Sequence, residues 1–181
     1  MIEYIDEIHT YLYDGIIIPS VSQILSEKIF PDKYKGVPEQ VLSNKAKYGS
    51  EVHSIIEKLE NGIEYNPSSI YIKQSIEQYR ALKEQNSINV LEQEKIVCYK
   101  GLYAGRFDMI AEINGKLCLC DIKTTAELDL EYLSWQLSMY ELAYGKRFDK
   151  LVAIWLPKKG LAKLVEVKRK DREEIEKVIG E

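Results

Sequence analysis

The chain has 181 residues, 45% of them hydrophobic and 30% charged, with a formal net charge of −4 at pH 7. That length and apolar fraction suit one domain with a substantial core. No segment reaches the roughly 18 consecutive apolar residues of a membrane helix, and the N-terminus does not read as a charged-then-apolar leader, so a soluble, intracellular protein is expected. Cys98, Cys118 and Cys120 are odd in number and form no C-x-x-C pair, which argues against a disulfide framework or a zinc site and for reduced, largely buried thiols.

In chain order, residues 2–13 and 16–19 flank Asp14-Gly15 and read as a hairpin, with His9 in no ligating company and therefore structural. Ser20 and Gln23 have the spacing of a capping box and open a short helix to about residue 29. A long helix then runs from Pro38 to Asn61-Gly62. Leu42, Ala46, Gly49, Val52, His53, Ile56 and Leu59 share its inner face, so His53 points inward, either as a hydrogen-bonded core histidine or as a ligand. A turn with an N-cap at 66–69 leads into a scaffold helix over 70–84 that buries Ile72, Ile76 and Tyr79.

Residues 89–99 read as a strand carrying Glu92 and Glu94 on one parity. Two alternating runs, 103–113 and 116–123, then flank Asn114-Gly115, a dipeptide suited to a two-residue type I′ turn. Setting Ile113 opposite Lys116 places Phe107 opposite Ile122, Met109 opposite Cys120 and Ala111 opposite Cys118, which makes one face apolar. On the other face the same register opposes Asp108 to Asp121 and Arg106 to Lys123. Opposed like charges destabilise a ladder, so the carboxylates either sit in water paired with Arg106 and Lys123 or share a cation, of which a divalent metal is the economical choice. A helix over 130–144, ended by Gly145, sets Gln136 and Tyr140 at i and i+4 on one face. An apolar strand at 150–156, a turn at 157–160, a strand at 161–167 and a helix at 171–179 close the chain. Internal repeats, Gly-rich phosphate loops and nucleophile-elbow serines are absent from the sequence, which leaves nucleotide-hydrolysis and serine-triad chemistry without support. An acidic protein that binds nucleic acid needs clustered cations; Lys45 and Lys47 lie near His53, and Lys158, Lys159, Lys163, Lys168, Arg169, Lys170 and Arg172 enrich the last quarter.

An Asp, a hairpin turn and then D-x-K on the same face, here Asp108, Asp121 and Lys123, resembles the core of the PD-(D/E)XK nuclease superfamily. Gly49 and His53 resemble the G-x-x-x-H helix motif of its RecB-like exonuclease branch. Gln136 and Tyr140 resemble that branch's Q-x-x-x-Y signature, and the N-terminal hairpin followed by Pro19-Ser20-Val21-Ser22 looks like small phage-type exonucleases.

The resemblance implies an α/β fold with a restriction-endonuclease-like mixed central sheet flanked by helices and an N-terminal helical lobe. Residues 1–181 would form one nuclease domain, with 1–85 as hairpin and helical lobe and 86–181 as sheet core. It further implies Mg²⁺ or Mn²⁺, one or two ions, held by His53, Asp108, Asp121 and the Ile122 backbone carbonyl with Glu94 in support, while Lys123 positions the attacking water. Gln136 and Tyr140 would contact DNA. The expected activity is exonucleolytic hydrolysis of DNA with free ends, in phage or bacterial recombination, repair or processing, in the cytoplasm and without a membrane or an iron–sulfur cluster. Alternatives on the same core are a structure-specific endonuclease and an inactive DNA-end-binding module.

Overall fold

The computed structural model describes residues 1–180. A small antiparallel sheet opens the chain: β1 (Ile2–Ile5), β2 (Thr10–Tyr13) and β3 (Ile16–Ile18), in that order. The expected hairpin is there, turned by Asp14 and Gly15 at φ 50° and 80°, the left-handed pair that a type I′ turn requires. The expected first arm, residues 2–13, is divided into two strands, β1 and β2, that pair with each other, and that division is new. Sequence patterning missed it because a 3₁₀ turn at Asp6–Ile8 interrupts the alternation.

The capping box of Ser20 and Gln23 is formed in both directions and starts α1 (Val21–Ile24), which continues as a π-type turn over Leu25–Ile29. Helices α2 (Glu39–Glu60) and α3 (Ile70–Gln85) follow, the latter capped by the Ser69 hydroxyl. The main sheet comprises β4 (Asn89–Tyr99), β5 (Tyr103–Ile113), β6 (Lys116–Lys123), β7 (Lys150–Trp155) and β8 (Lys163–Val167), side by side in chain order. All neighbours are antiparallel except β6 and β7, which α4 (Leu130–Tyr144) joins as the crossover that a parallel pair needs. Helix α5 (Arg172–Ile179) ends the fold. Among the described residues no helix is long and apolar enough to cross a membrane.

The chain is thus α/β, with a mixed sheet covered on both faces. One core lies between the sheet and α4, where Tyr103, Phe107, Leu119, Leu151 and Ala153 meet Leu133, Leu137 and Met139. The other lies beneath α2 and α3, where Met109, Cys118, Cys120, Ile122, Val152 and Ile154 meet Val52, Ile56, Ile76 and Tyr79. Strand β7 contributes to both, which is why its sequence is an almost unbroken apolar run. The first half of α2 departs from the expected inner face, since Ala46 is exposed and Leu42 only half-buried. Its residues before Gly49 lie beyond the turn of α2 that faces Thr124, the residue following β6.

Candidate metal centre

The hairpin of β5 and β6 turns at Asn114 and Gly115, with φ 49° and 73°, and pairs Ile113 with Lys116, Ala111 with Cys118 and Met109 with Cys120 as the sequence register requires. There the ladder stops. Phe107 does not face Ile122. It enters the α4-side core beside Tyr144, while Met109 enters the core beneath α2, so β5 changes faces at Asp108. Strand β4 is irregular at the same level: Gln93 pairs with Met109 and Lys95 with Phe107, and between them Glu94 adopts φ 48°, a left-handed backbone that a non-glycine residue holds only under constraint.

The consequence is a small polar centre where the sheet opens. The Ile122 N–H, freed from the ladder, donates to Asp108 Oδ2 at 2.6 Å. His53, carried in by α2, sets Nδ1 3.3 Å from Asp108 Oδ1 and Nε2 2.9 Å from the Ile122 carbonyl oxygen. Gly49, one turn earlier, lies where α2 passes the end of β6; a Cβ there would make an ordinary 3.5 Å contact with Thr124 Oγ1. Ligand atoms of His53, Glu94 and Asp108 lie within 4.8 Å of one another, a group that could hold a metal ion. Glu92 lies elsewhere, bonded to Lys95 and to the Tyr144 hydroxyl.

The two aspartates are not the bare opposed pair that the register suggested. Asp108 leans on His53 and the Ile122 amide, whereas Asp121 turns to Lys123, whose Nζ lies 2.6 Å from Oδ2. Arg106 does not face Lys123 either: its Nε meets Glu94 at 2.9 Å and a terminal nitrogen reaches Asp6 at 3.7 Å. Both differences share one cause. When β5 switches faces at Asp108, its side chains beyond that point no longer follow the hairpin parity.

The electrostatics follow from burial and these pairings. Burial alone would lower the His53 pKa, but the charge and hydrogen bond of Asp108, with Asp121 beyond, raise it to about 9. Both ring nitrogens therefore face acceptors, and a protonated imidazole links Asp108 to Ile122. Burial would raise Asp108, yet the nearby His53 and Lys123 charges and the Ile122 N–H hold it below the usual carboxylate range. Asp121 is pushed upward by burial and by Asp108, with Lys123 opposing. Burial and the Asp108 charge raise Glu94 to about 7 against the pull of Arg106.

Gln136 and Tyr140 lie inside the molecule, 8% and 5% exposed. Lys123 Nζ donates to Gln136 Oε1 at 3.3 Å, and Gln136 Nε2 donates to the Tyr140 hydroxyl at 3.4 Å, so the shared helix face is directed at the D-x-K strand. Room for the Tyr140 ring comes from Gly105, where a Cβ would stand 2.4 Å from Tyr140 Cε1. His9, in the N-terminal sheet between β1 and β2, bonds Tyr4 through Nδ1 at 2.7 Å, and the Tyr4 ring lies 5.2 Å from the Arg106 guanidinium. Sequence reasoning missed that this sheet reaches the centre through Asp6 and Arg106. Charge spacing alone could not have shown it, because the two residues are distant in the chain.

No protein-family model matches the chain, and no curated protein does. Among solved structures it is similar to one described as SSO0001, with a TM-score of 0.51 at 18% identity over 89% of this chain and 72% of that one. At that identity the likeness is one of fold. A second similar structure is an alkaline exonuclease, LHK-Exo, from Laribacter hongkongensis, with a TM-score of 0.45 at 12% identity over 90% of this chain and 84% of that one.

Proposed function

We propose that the protein is a Mg²⁺- or Mn²⁺-dependent deoxyribonuclease that hydrolyses phosphodiester bonds from DNA ends, serving phage or bacterial DNA processing. The observation that carries this reading is the gathering of His53, Glu94 and Asp108, with ligand atoms within 4.8 Å of one another, next to the buried Asp121 and its half-buried partner Lys123. The residues fit a divalent ion. Their donors are carboxylate oxygens, a carbonyl oxygen and one imidazole, a set suited to hard cations. Asp121 Oδ2 is buried and no donor meets it at hydrogen-bonding angles, although Lys123 is close.

His53, Asp108, Asp121 and the Ile122 carbonyl, with Glu94 in support, would hold the ion. When bound, it supplies Lewis-acid polarisation of the phosphate and a lowered pKa for coordinated water. His53 must then give up the proton that now joins it to Asp108. Lys123 keeps its ammonium, because the Asp121 and Asp108 charges raise its pKa against burial. An ammonium fixed between Asp121 and Gln136 is suited to orienting a water and neutralising charge on a scissile phosphate. In this reading Gln136 and Tyr140 act through Lys123.

The test is digestion of 5′- and 3′-labelled linear DNA beside closed circular DNA with Mg²⁺, Mn²⁺ or chelator. Metal-dependent shortening of linear DNA with circles intact is expected. Nicking of circles would make the enzyme an endonuclease, and no cleavage under any condition would reject the reading. Lys123→Ala should abolish cleavage while metal binding, measured calorimetrically, persists. Near-normal turnover in that variant would remove Lys123 from the mechanism.

A further inference from the structure

Beside the centre, the first half of α2, the start of α3 and the β7–β8 loop meet in one corner. Tyr48 directly precedes Gly49, whose neighbour is Thr124. The Leu156 N–H donates to the Lys123 carbonyl at 2.8 Å, so Lys158 and Lys159 follow at once from the strand paired with the D-x-K strand. Lys158 Nζ stands 3.7 Å from the Tyr48 ring centroid and 6.0 Å from that of Tyr71. The Tyr48 hydroxyl donates to the Tyr71 carbonyl at 3.1 Å and bonds Ser75 Oγ at 2.8 Å, which fixes the ring beneath the ammonium. Tyr71 is 57% exposed.

The acidic residue next along α2, Glu51, accepts hydrogen bonds from the Ser68 N–H and hydroxyl. Lys33 and Lys35 are taken up by Asp129 and Asp32, but among the described residues no carboxylate lies within ion-pair distance of Lys45, Lys47, Lys158 or Lys159. Unpaired ammonium groups beside an exposed ring match a polyanion whose units also carry flat faces. A duplex hides those faces in its own stack, whereas an unpaired strand offers them.

Building on the nuclease reading, we infer that this corner binds a single-stranded segment of the DNA substrate as it approaches the centre, with phosphates on Lys158 and Lys159 and a base stacked on Tyr71. The surface therefore selects frayed or single-stranded ends over blunt duplex. Binding is measured in chelator, where cleavage is blocked, by the anisotropy of a labelled oligothymidylate and of a labelled blunt hairpin duplex. Tyr71→Ala should weaken oligothymidylate binding about tenfold, within the range of one lost stacking contact, and leave the duplex nearly unchanged. Lys158→Ala with Lys159→Ala should lower the salt slope of log K by about 1.4, two phosphate contacts on a single strand.

Melting curves check that the variants fold; Tyr71→Phe should retain binding, since the ring face survives. Parental affinity and slope in the alanine variants, equal losses on both DNAs with Tyr71→Ala, or equally effective competition by polyglutamate would each overturn the inference. Hydrolysis of bis(4-nitrophenyl) phosphate with Mn²⁺ separates the two ideas because so small an ester does not need the corner. Hydrolysis with unaffected oligothymidylate binding removes only the corner. Corner-dependent binding without hydrolysis of either ester or DNA removes only the nuclease.

Discussion

Asp121 is held in the interior with Lys123 as its immediate counter-charge, and this decides what its removal does. Were the two aspartates opposed and bare, Asp121→Asn would relieve repulsion and stabilise the metal-free protein. The ammonium 2.6 Å away offsets part of that repulsion, yet burial and the Asp108 charge still hold the Asp121 pKa above the usual carboxylate range, so its ionised form remains unfavourable in the fold. Asn keeps the shape and removes that charge, so the metal-free variant should be at least as stable as the parent near pH 7 in denaturation. A variant well below the parent would show that the Lys123 ion pair outweighs burial and the Asp108 charge.

His53 gives a second prediction at this scale. Its pKa is raised from 6.5 to about 9, so the stability it lends is complete below pH 6.5 and is lost as pH rises through 9. Glu94, raised from 4.5 to about 7, acts in the same direction: its neutral form is favoured in the fold, and that contribution fades between pH 4.5 and 7. Metal-free protein should therefore melt lower at pH 9 than at pH 6.5, and the stabilisation by Mn²⁺ should grow over the same interval because ligation requires both groups deprotonated. His53→Gln should flatten the upper part of the profile; an unchanged profile would remove His53 as its source.

At the level of elements, the centre exists because two adjacent strands change faces together. Glu94 on β4 and Asp108 on β5 are the residues at which this happens, and the gap they leave in the ladder receives the Asp108 carboxylate and the His53 ring. Helix α4 is held against this region by close approach to β5 at Gly105. An added methyl there would lie 2.4 Å from Tyr140 and 3.2 Å from Val21, so Gly105→Ala should destabilise the fold by about 1–3 kcal/mol. Activity should fall more than stability accounts for at temperatures where the variant is folded, because displacing Tyr140 displaces Gln136 and with it Lys123. A fully active, equally stable variant would show that the ring can move without disturbing the site.

For the whole molecule, the proposed ligands come from α2, β4, β5 and β6, so metal binding would be a property of the folded chain alone. An ion at a hundredfold excess over Kd should then add about 2.7 kcal/mol, seen as a rise in melting temperature with Mn²⁺ or Mg²⁺ that chelator reverses. Asp108→Asn should lose that rise, and a rise retained in full would place the ion elsewhere.

The elements were legible in the sequence because their signals are local. A capping box sets the start of α1, Asn114-Gly115 the hairpin and its register as far as Met109, Gly145 the end of α4, and an unbroken apolar run the doubly covered β7. His53, Asp108, Asp121, Lys123, Gln136 and Tyr140 stood out because short motifs on a helix or a hairpin resemble those of known nucleases. What the sequence left open was how those elements meet. The choice of Glu94 over Glu92, the pairing of Asp108 with His53 and of Asp121 with Lys123, and the diversion of Arg106 to Glu94 and Asp6 depend on a face switch in two neighbouring strands. Strand alternation carries no mark of such a switch: it follows from helices packing on opposite faces of the sheet, and only the assembled fold imposes it.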